Sequence, residues 1–130
     1  MNQPFLYAKN KIIMIKTVNN MLIFQFFFTD YDGEEVLPAQ TQYASIDEII
    51  ELMQSILIRP ENFLGIVDKN DRTLQFIVNS DYSLDADIPI PDQKGSYTKT
   101  ISLHEAVKLV QKQTELIQID AIEGMAFMKW

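Results

Sequence analysis

The chain of 130 residues contains no cysteine and a single histidine, His104. Without a thiol, disulfides, thiolate nucleophiles and cysteine-ligated zinc or iron-sulfur sites are all excluded. His104 falls in the first turn of a predicted helix, where the positive helix terminus disfavours a protonated imidazole, and no serine motif pairs with it. We therefore expect neither an enzyme nor a metal site, and stability must come from packing.

Glycine is scarce, and long apolar runs are missing. The four glycines stand about thirty residues apart, so no glycine-rich loop is present to hold a phosphate, and no cofactor is expected. The apolar stretch 21–28 contains Gln25 and is far shorter than the roughly 20 residues that span a bilayer. Residues 5–15 are interrupted by Lys9 and Lys11 and lack a cleavage signal. We expect a cytoplasmic protein without a membrane segment.

Bases are absent from two long segments of a chain whose net charge is −7. Residues 1–29 carry three lysines and no acid, so the acidity lies further along the chain. Residues 30–51 contain no base and seven acids, namely Asp30, Asp32, Glu34, Glu35, Asp47, Glu48 and Glu51. Residues 81–92 contain no base and four acids, namely Asp81, Asp85, Asp87 and Asp92.

This charge distribution constrains the kind of partner. Direct binding to nucleic acid is disfavoured, because neutralising phosphates requires clustered Lys and Arg. A basic protein partner is favoured, because an acidic field would steer its approach. The alternative is that the acidic surface only keeps the protein soluble.

The composition and length of the chain predict one ordinary globular domain over 1–130. Hydrophobic residues make up 47% and charged residues 22%, far from the composition of a disordered chain. A chain of this length has room for one hydrophobic core and not for two.

The first predicted element is a β-hairpin of strands 11–18 and 21–29 around Asn19-Asn20, a turn that tolerates positive φ. Its second strand is apolar on both faces over 22–28. This pattern predicts a central strand with helices on one side and loops, a helix or a partner on the other.

Two helices and a second hairpin follow. Ser45 with Glu48 forms a capping-box pattern ahead of an apolar stripe, and Arg59-Pro60 should end that helix. Strands 63–67 and 73–78 flank a four- or five-residue loop. Ser102 with Glu105 repeats the capping box for the second helix. The aligned segments 45–54 and 102–111 reflect either an internal duplication or convergence on the same cap.

The region 80–101 is rich in proline and acid. Prolines forbid helix there, and Asp87-Ile88-Pro89-Ile90-Pro91 alternates like a short edge strand, with a loop or polyproline-like form as the alternative. A further strand is predicted at 98–101, and the tail 115–130 indicates one or two strands. The expected fold is therefore α+β: an antiparallel sheet of two β-hairpins plus C-terminal strands, with two amphipathic helices packed on it.

The segment 45–111 resembles the small acidic bacterial immunity proteins encoded beside polymorphic toxins. The resemblance rests on the capped helix, the hairpin Phe63-Leu64-Gly65-Ile66-Val67 with Leu74-Gln75-Phe76, the extended segment and the helix Leu103-His104-Glu105-Ala106. It implies an inhibitor that occludes a toxin's active site, with acidic residues in place of the phosphates of a nuclease substrate.

If the chain binds such a basic partner, the contacts are expected in the two acidic loops. Tyr31 and Tyr82 are the expected aromatic anchors, with loop tyrosines packed on the domain edge as the alternative. The predicted partner-binding residues are Asp30, Tyr31, Asp32, Glu34, Glu35, Asp81, Tyr82, Asp85 and Asp87.

Two other functions fit the same sequence. One is a phage-type or accessory inhibitor of a nucleic-acid enzyme, which would use the same acidic surface on a different target. The other is a structural or self-associating subunit, for example a homodimer, that uses the apolar strand 22–28 and the tail 127–130. The hypothesis of a basic protein partner depends on whether the two acidic segments lie on one face of the folded domain.

Overall fold

The computed structural model describes residues 22–31, 33, 35–37, 42–118 and 122–130. The elements are β1 (Ile23–Thr29), β2 (Glu35–Val36), β3 (Tyr43–Ser45), α1 (Ile46–Ile56), β4 (Phe63–Val67), β5 (Thr73–Val78), β6 (Leu84–Ile90), β7 (Gly95–Ile101), α2 (Leu103–Gln111) and β8 (Ala126–Lys129). A short 3-10 turn, Pro91–Gln93, connects β6 to β7.

The strands form one antiparallel sheet of eight strands in the described part of the chain, in the order β2-β1-β4-β5-β6-β7-β8, with β3 pairing the other half of β1. From β4 onward each strand pairs with the next along the sequence. The predicted class, an antiparallel α+β sheet with two helices packed on it, is confirmed.

Both helices begin with the predicted capping box. Ser45 Oγ accepts a hydrogen bond from Glu48 N at 3.3 Å, and Glu48 Oε1 accepts one from Ser45 N at 3.2 Å. Ser102 and Glu105 make the same pair at 3.1 and 3.0 Å. These bonds satisfy backbone N–H groups that a helix terminus otherwise leaves without a partner.

One face of the sheet is covered by the helices. Cross-strand partners lie on the same face, and the register places Phe26, Ile66 and Leu74 in one buried row. The core combines every second residue of the central strands with the apolar faces of α1 and α2, namely Phe24, Phe26, Phe28, Leu64, Ile66, Leu74, Phe76, Ile49, Met53, Ala106 and Val110.

The central position predicted for strand 22–28 is confirmed. β1 pairs with β4 on one edge and with β2 and β3 on the other. On its second face, the Phe27 ring lies over Gly65, where an added Cβ would come within 2.2 Å of the ring. Phe27 and Phe63 make an edge-to-face contact at 6.3 Å between centroids. This face is therefore filled locally by aromatic packing.

The prediction of an edge strand at 87–91 is wrong. β6 lies between β5 and β7 and runs from Leu84 to Ile90. The physical reason lies in where the pairing stops. The last residue of β6 paired with β5 is Asp87, whereas Pro89 pairs only with Ser96 of β7. Proline thus occupies an interior strand at a point where pairing with β5 has already stopped, although β5 itself continues to Thr73.

The remaining elements occur where the sequence predicts them, but some begin or end at other residues. The second hairpin has its predicted strands, and β7 begins at Gly95, three residues earlier than predicted. The helix capped by Ser45 ends at Ile56, ahead of Arg59-Pro60. The tail contributes one strand, β8, to the described residues. The predicted strand 11–18 lies outside the described residues.

Replacing Ser45 by alanine should lower the free energy of unfolding by about 1 kcal/mol, because Glu48 N loses its acceptor, Ser45 Oγ, and Glu48 Oε1 loses the hydroxyl donor. Urea unfolding measures this as a lower midpoint at unchanged slope. Ser55→Ala is the matched control, since Ser55 is an exposed residue within α1. An equal loss of stability in both variants would contradict a capping role.

Candidate acidic interface

The sheet face opposite the helices is the candidate site. Its central row runs from Gly65 through Gln75 and Asp87 to Thr98, and the next row from Phe63 through Ile77 and Asp85 to Thr100. Among the strand residues that the structure describes on this face, the charged ones are Glu35, Asp85 and Asp87, all acidic. The described strand residues thus give this face a negative charge, with no base among them.

Neutral donors hold the Asp85 and Asp87 carboxylates in place. Asp85 Oδ1 accepts from Asn79 Nδ2 at 3.0 Å and from Thr100 Oγ1 at 2.8 Å. Asp87 Oδ2 accepts from Gln75 Nε2 at 2.9 Å. Both side chains are half-buried. Hydrogen bonds from neutral groups orient a carboxylate without cancelling its charge, so the negative potential stays available to a partner.

The turn between β5 and β6 presents Asp81 and Tyr82 beside this face. Ser83 donates to Asp81 Oδ1 through its hydroxyl at 2.6 Å and its backbone N–H at 3.0 Å. These two hydrogen bonds, the hydroxyl first, hold the pKa of Asp81 below its usual 3.8. Asn79 Nδ2 donates to Ser83 Oγ at 3.0 Å as well as to Asp85, so one amide connects the turn to the face.

Tyr82 has a backbone φ of 69° and a side chain that is 64% exposed. Its N–H donates to Asn79 O, and Asn79 N donates to Ser83 O, which makes a three-residue hairpin loop whose last residue is left-handed. Glycine or asparagine suits that position, and a tyrosine there is strained. The equivalent residue of the β4–β5 turn is Asp71, φ 65°, a type that tolerates this conformation better.

Asn62 positions the loop that follows β1. This residue is 1% exposed. Its Nδ2 donates to Asp30 Oδ1 at 3.1 Å and to Ile56 O at 2.8 Å, and its Oδ1 accepts from Tyr31 N at 3.0 Å. One buried amide therefore ties the end of α1 to the loop that carries Asp30 and Tyr31. The Tyr31 side chain is 67% exposed.

The two acidic loops lie at the same end of the sheet. β1 ends where β4 begins, β5 ends next to that point, and β6 begins beside it. Three strand spacings separate β1 from β6, or roughly 14 Å at about 4.8 Å each. Asp30 and Tyr31 thus share an end with Asp81 and Tyr82, on a scale that one partner protein covers readily.

The predicted binding residues fall into three groups. Asp30, Tyr31, Asp81 and Tyr82 lie at this end, whereas Glu35, Asp85 and Asp87 lie on the open face. Asp32 and Glu34 lie outside the described residues. The acids of α1 do not join them: Asp47 and Glu48 stand in its first turn, and Glu48 serves the capping box.

Sequence reasoning missed the amides that organise the site and the apolar residues beside it. Asn62 and Asn79 read as ordinary loop residues until the fold brings their partners together. Ile77 is 40% exposed on the open face, next to half-buried Phe63. The alternation of Gln75 and Ile77 along β5, continued by Asn79 just after the strand, was the signal that could have placed these three residues on one face.

The described residues hold no group of three or more metal-ligating side chains. None of the helices in this part of the chain has the length and apolar character needed to cross a membrane. Comparisons with protein-family models, curated proteins and solved structures found no match to this chain.

Replacing Tyr82 by glycine should raise the free energy of unfolding by roughly 0.5–1 kcal/mol, because relief of the left-handed strain outweighs the extra entropy of the unfolded chain. Urea unfolding measures the change. Tyr31→Gly is the matched control, since Tyr31 is similarly exposed but is not left-handed, and it should not stabilise. A destabilised Tyr82→Gly would show that the tyrosine serves the fold.

Replacing Ser83 by alanine should raise the pKa of Asp81 toward 3.8, because the hydroxyl that stabilises the carboxylate is lost. A folded pKa below the usual value stabilises the turn above pH 3.8, and this stabilisation is lost as the pH falls through the folded pKa. NMR titration of the Asp81 carboxyl carbon measures the shift. Ser80→Ala is the control from the same turn, and an equal shift there would contradict the assignment.

Proposed function

We propose that this chain is a protein-binding inhibitor that neutralises a basic partner through the open face of its sheet and the adjoining loop end. The observation that carries the proposal is the pair of half-buried carboxylates, Asp85 and Asp87, held by neutral donors on a face whose described strand residues include no base. The two loops extend this surface with Asp30 and Asp81.

The carboxylates of the open face favour a partner with cationic side chains. Covering a carboxylate with protein removes its water, and the cost is offset only if the partner brings a compensating charge and hydrogen bonds. The amide and hydroxyl donors of Gln75, Asn79 and Thr100 leave further acceptor capacity on Asp85 and Asp87. Arginine supplies paired donors in the geometry that carboxylates accept best.

Apolar groups beside the acids provide the rest of an interface. Ile77 is exposed on the face, and Tyr31 and Tyr82 are exposed at its loop end. Tyrosines of this kind dominate binding energy in many interfaces, because a rigid ring buries area at low entropic cost. The strained backbone of Tyr82 supports the same interpretation, since strain that the fold does not require is commonly retained for function.

The resemblance to immunity proteins suggests the class of partner. A toxin nuclease has a basic substrate cleft, and carboxylates at the spacing of a polyanion would occupy it in place of phosphates. A phage-type or accessory inhibitor of a nucleic-acid enzyme would use the same surface. Genomic context separates the two, because a neighbouring toxin gene supports the first and a phage neighbourhood supports the second.

Self-association is the other candidate function, and the exposure of Met128 and Trp130 favours it, at 58% and 71%. These side chains lie at β8, the outermost strand beyond β7 in the described sheet. β1 has strands paired along both edges, so self-association through 22–28 would require its face. A dimer insensitive to salt, detected by light scattering, would support this alternative.

The experiment compares three versions of the full chain as baits: wild type, Asp85→Asn/Asp87→Asn and the control Asp47→Asn/Glu51→Gln. Each double variant removes two negative charges, from the open face in the first case and from α1 in the second. A partner captured from the native host is identified by mass spectrometry. Its affinity for each version is then measured at several salt concentrations.

We expect the open-face variant to bind at least about tenfold more weakly, because the partner's cations are left buried without their carboxylates, and the α1 variant to bind like wild type. The salt dependence should weaken in the open-face variant alone. Equal affinity of the open-face variant and wild type would reject this face as the interface. Equal weakening in both variants would show only a dependence on net charge.

A further inference from the structure

A groove on the helix-covered side of the sheet carries three lysines in a chain that is acidic overall. It lies between α2, β7 and residues 122–123, is open to solvent and has a volume of about 240 Å³. Its described lining is Lys99, Ile101, Glu105, Lys108, Leu109, Lys112, Ile122 and Glu123. The lining thus combines three lysines with apolar isoleucine and leucine side chains.

Lys99 is held in a defined position in this groove. Its strand partner is Ala86, which is fully buried, so the Lys99 side chain lies on the helix side of the sheet. The Nζ atom donates to Glu123 O at 2.7 Å. Gly124, with φ +84°, leaves room for this lysine, because an added Cβ would lie 3.2 Å from both Nζ and Cε. The local backbone is therefore shaped around the ammonium group.

Lys108 and Lys112 lie four residues apart at the end of α2, where their side chains are neighbours. Like charges at this spacing repel, although the negative end of the helix offsets part of that cost. No carboxylate among the described residues lies within 4.0 Å of either ammonium group. An anion placed between them and Lys99 would relieve the repulsion.

The two acids in the lining offset only part of this charge. Glu105 Oε1 accepts from Ser102 N at 3.0 Å, so that carboxylate completes the helix cap. This hydrogen bond is the main reason that the pKa of Glu105 is lowered, and Lys99 lowers it further. Glu123 lies at the exposed rim. Among the lining residues that the structure describes, three lysines stand against two acids, which gives a positive balance.

We infer that this groove binds a small organic anion, with its phosphate or carboxylate on the lysine ammonium groups and its apolar part on Ile101, Leu109 and Ile122. The volume corresponds to about eight water molecules at roughly 30 Å³ each, which suits a single-ring ligand. The groove and the carboxylates Asp85 and Asp87 are on opposite faces of the sheet. Anion binding in the groove is therefore independent of partner binding at the open face.

The test is a titration of the ¹⁵N-labelled full chain, followed by NMR, with phenyl phosphate, benzoate and inorganic phosphate as probes at constant ionic strength. We expect saturable shifts at Lys99, Leu109 and Ile122, with a Kd on the order of 1 mM or below for at least one aromatic anion. The aromatic anion should bind more tightly than inorganic phosphate because its ring covers the apolar side chains of the lining. Phenyl phosphate and benzoate together distinguish a phosphate from a carboxylate preference.

The variant Lys108→Gln/Lys112→Gln should weaken that binding at least about fivefold, since it removes two of the three cations. Lys69→Gln/Lys129→Gln is the control of equal charge change, because both lysines lie outside the groove. Unchanged amide spectra elsewhere would verify the fold of each variant. Shifts that stay linear with concentration, or equal weakening by both variants, would overturn the inference.

Discussion

The register of β1, β4, β5 and β6 fixes which side chains form the core and which lie on the open face of the sheet. It aligns Phe26 with Ile66 and Ile66 with Leu74, and α1 and α2 close over the resulting apolar face. Side chains alternate between faces, so a slip of one residue in β1 would expose its buried phenylalanines, and the same slip in β5 or β6 would bury Gln75 or Asp87. The same register that forms the core therefore assembles the acidic face.

Buried and half-buried asparagine amides hold the loops in place relative to the sheet and α1. Asn62 joins α1 to the loop of Asp30, and Asn79 joins the β5–β6 turn to Asp85. A buried amide that loses its partners costs roughly 1–3 kcal/mol, which keeps these connections in place. The acidic surface is thus an arrangement held by neutral hydrogen bonds, and its charge is left for a partner. Glu48 and Glu105, in contrast, are used within the fold as caps.

Local signals predicted most of the elements. The capping boxes at Ser45 and Ser102 are short-range patterns, since their donors and acceptors lie within three residues. The position of β6 was mistaken, because Pro89 indicates an edge strand wherever both neighbours are assumed to pair along its whole length. Only the observed pairing shows that β6 stops pairing with β5 at Asp87 and continues to pair with β7 as far as Ile90.

Local sequence patterns were sufficient to predict the class of fold, the two capped helices, the central place of strand 22–28 and the two base-free acidic segments, because propensity, alternation and charge are properties of neighbouring residues. Only the folded chain shows that Asp30 and Asp81 share one end of the sheet, that Asp85 and Asp87 lie on the open face and that Lys99 lies beside α2 on the opposite face. Those relations follow from strand order and register across distant segments, and no local pattern encodes them.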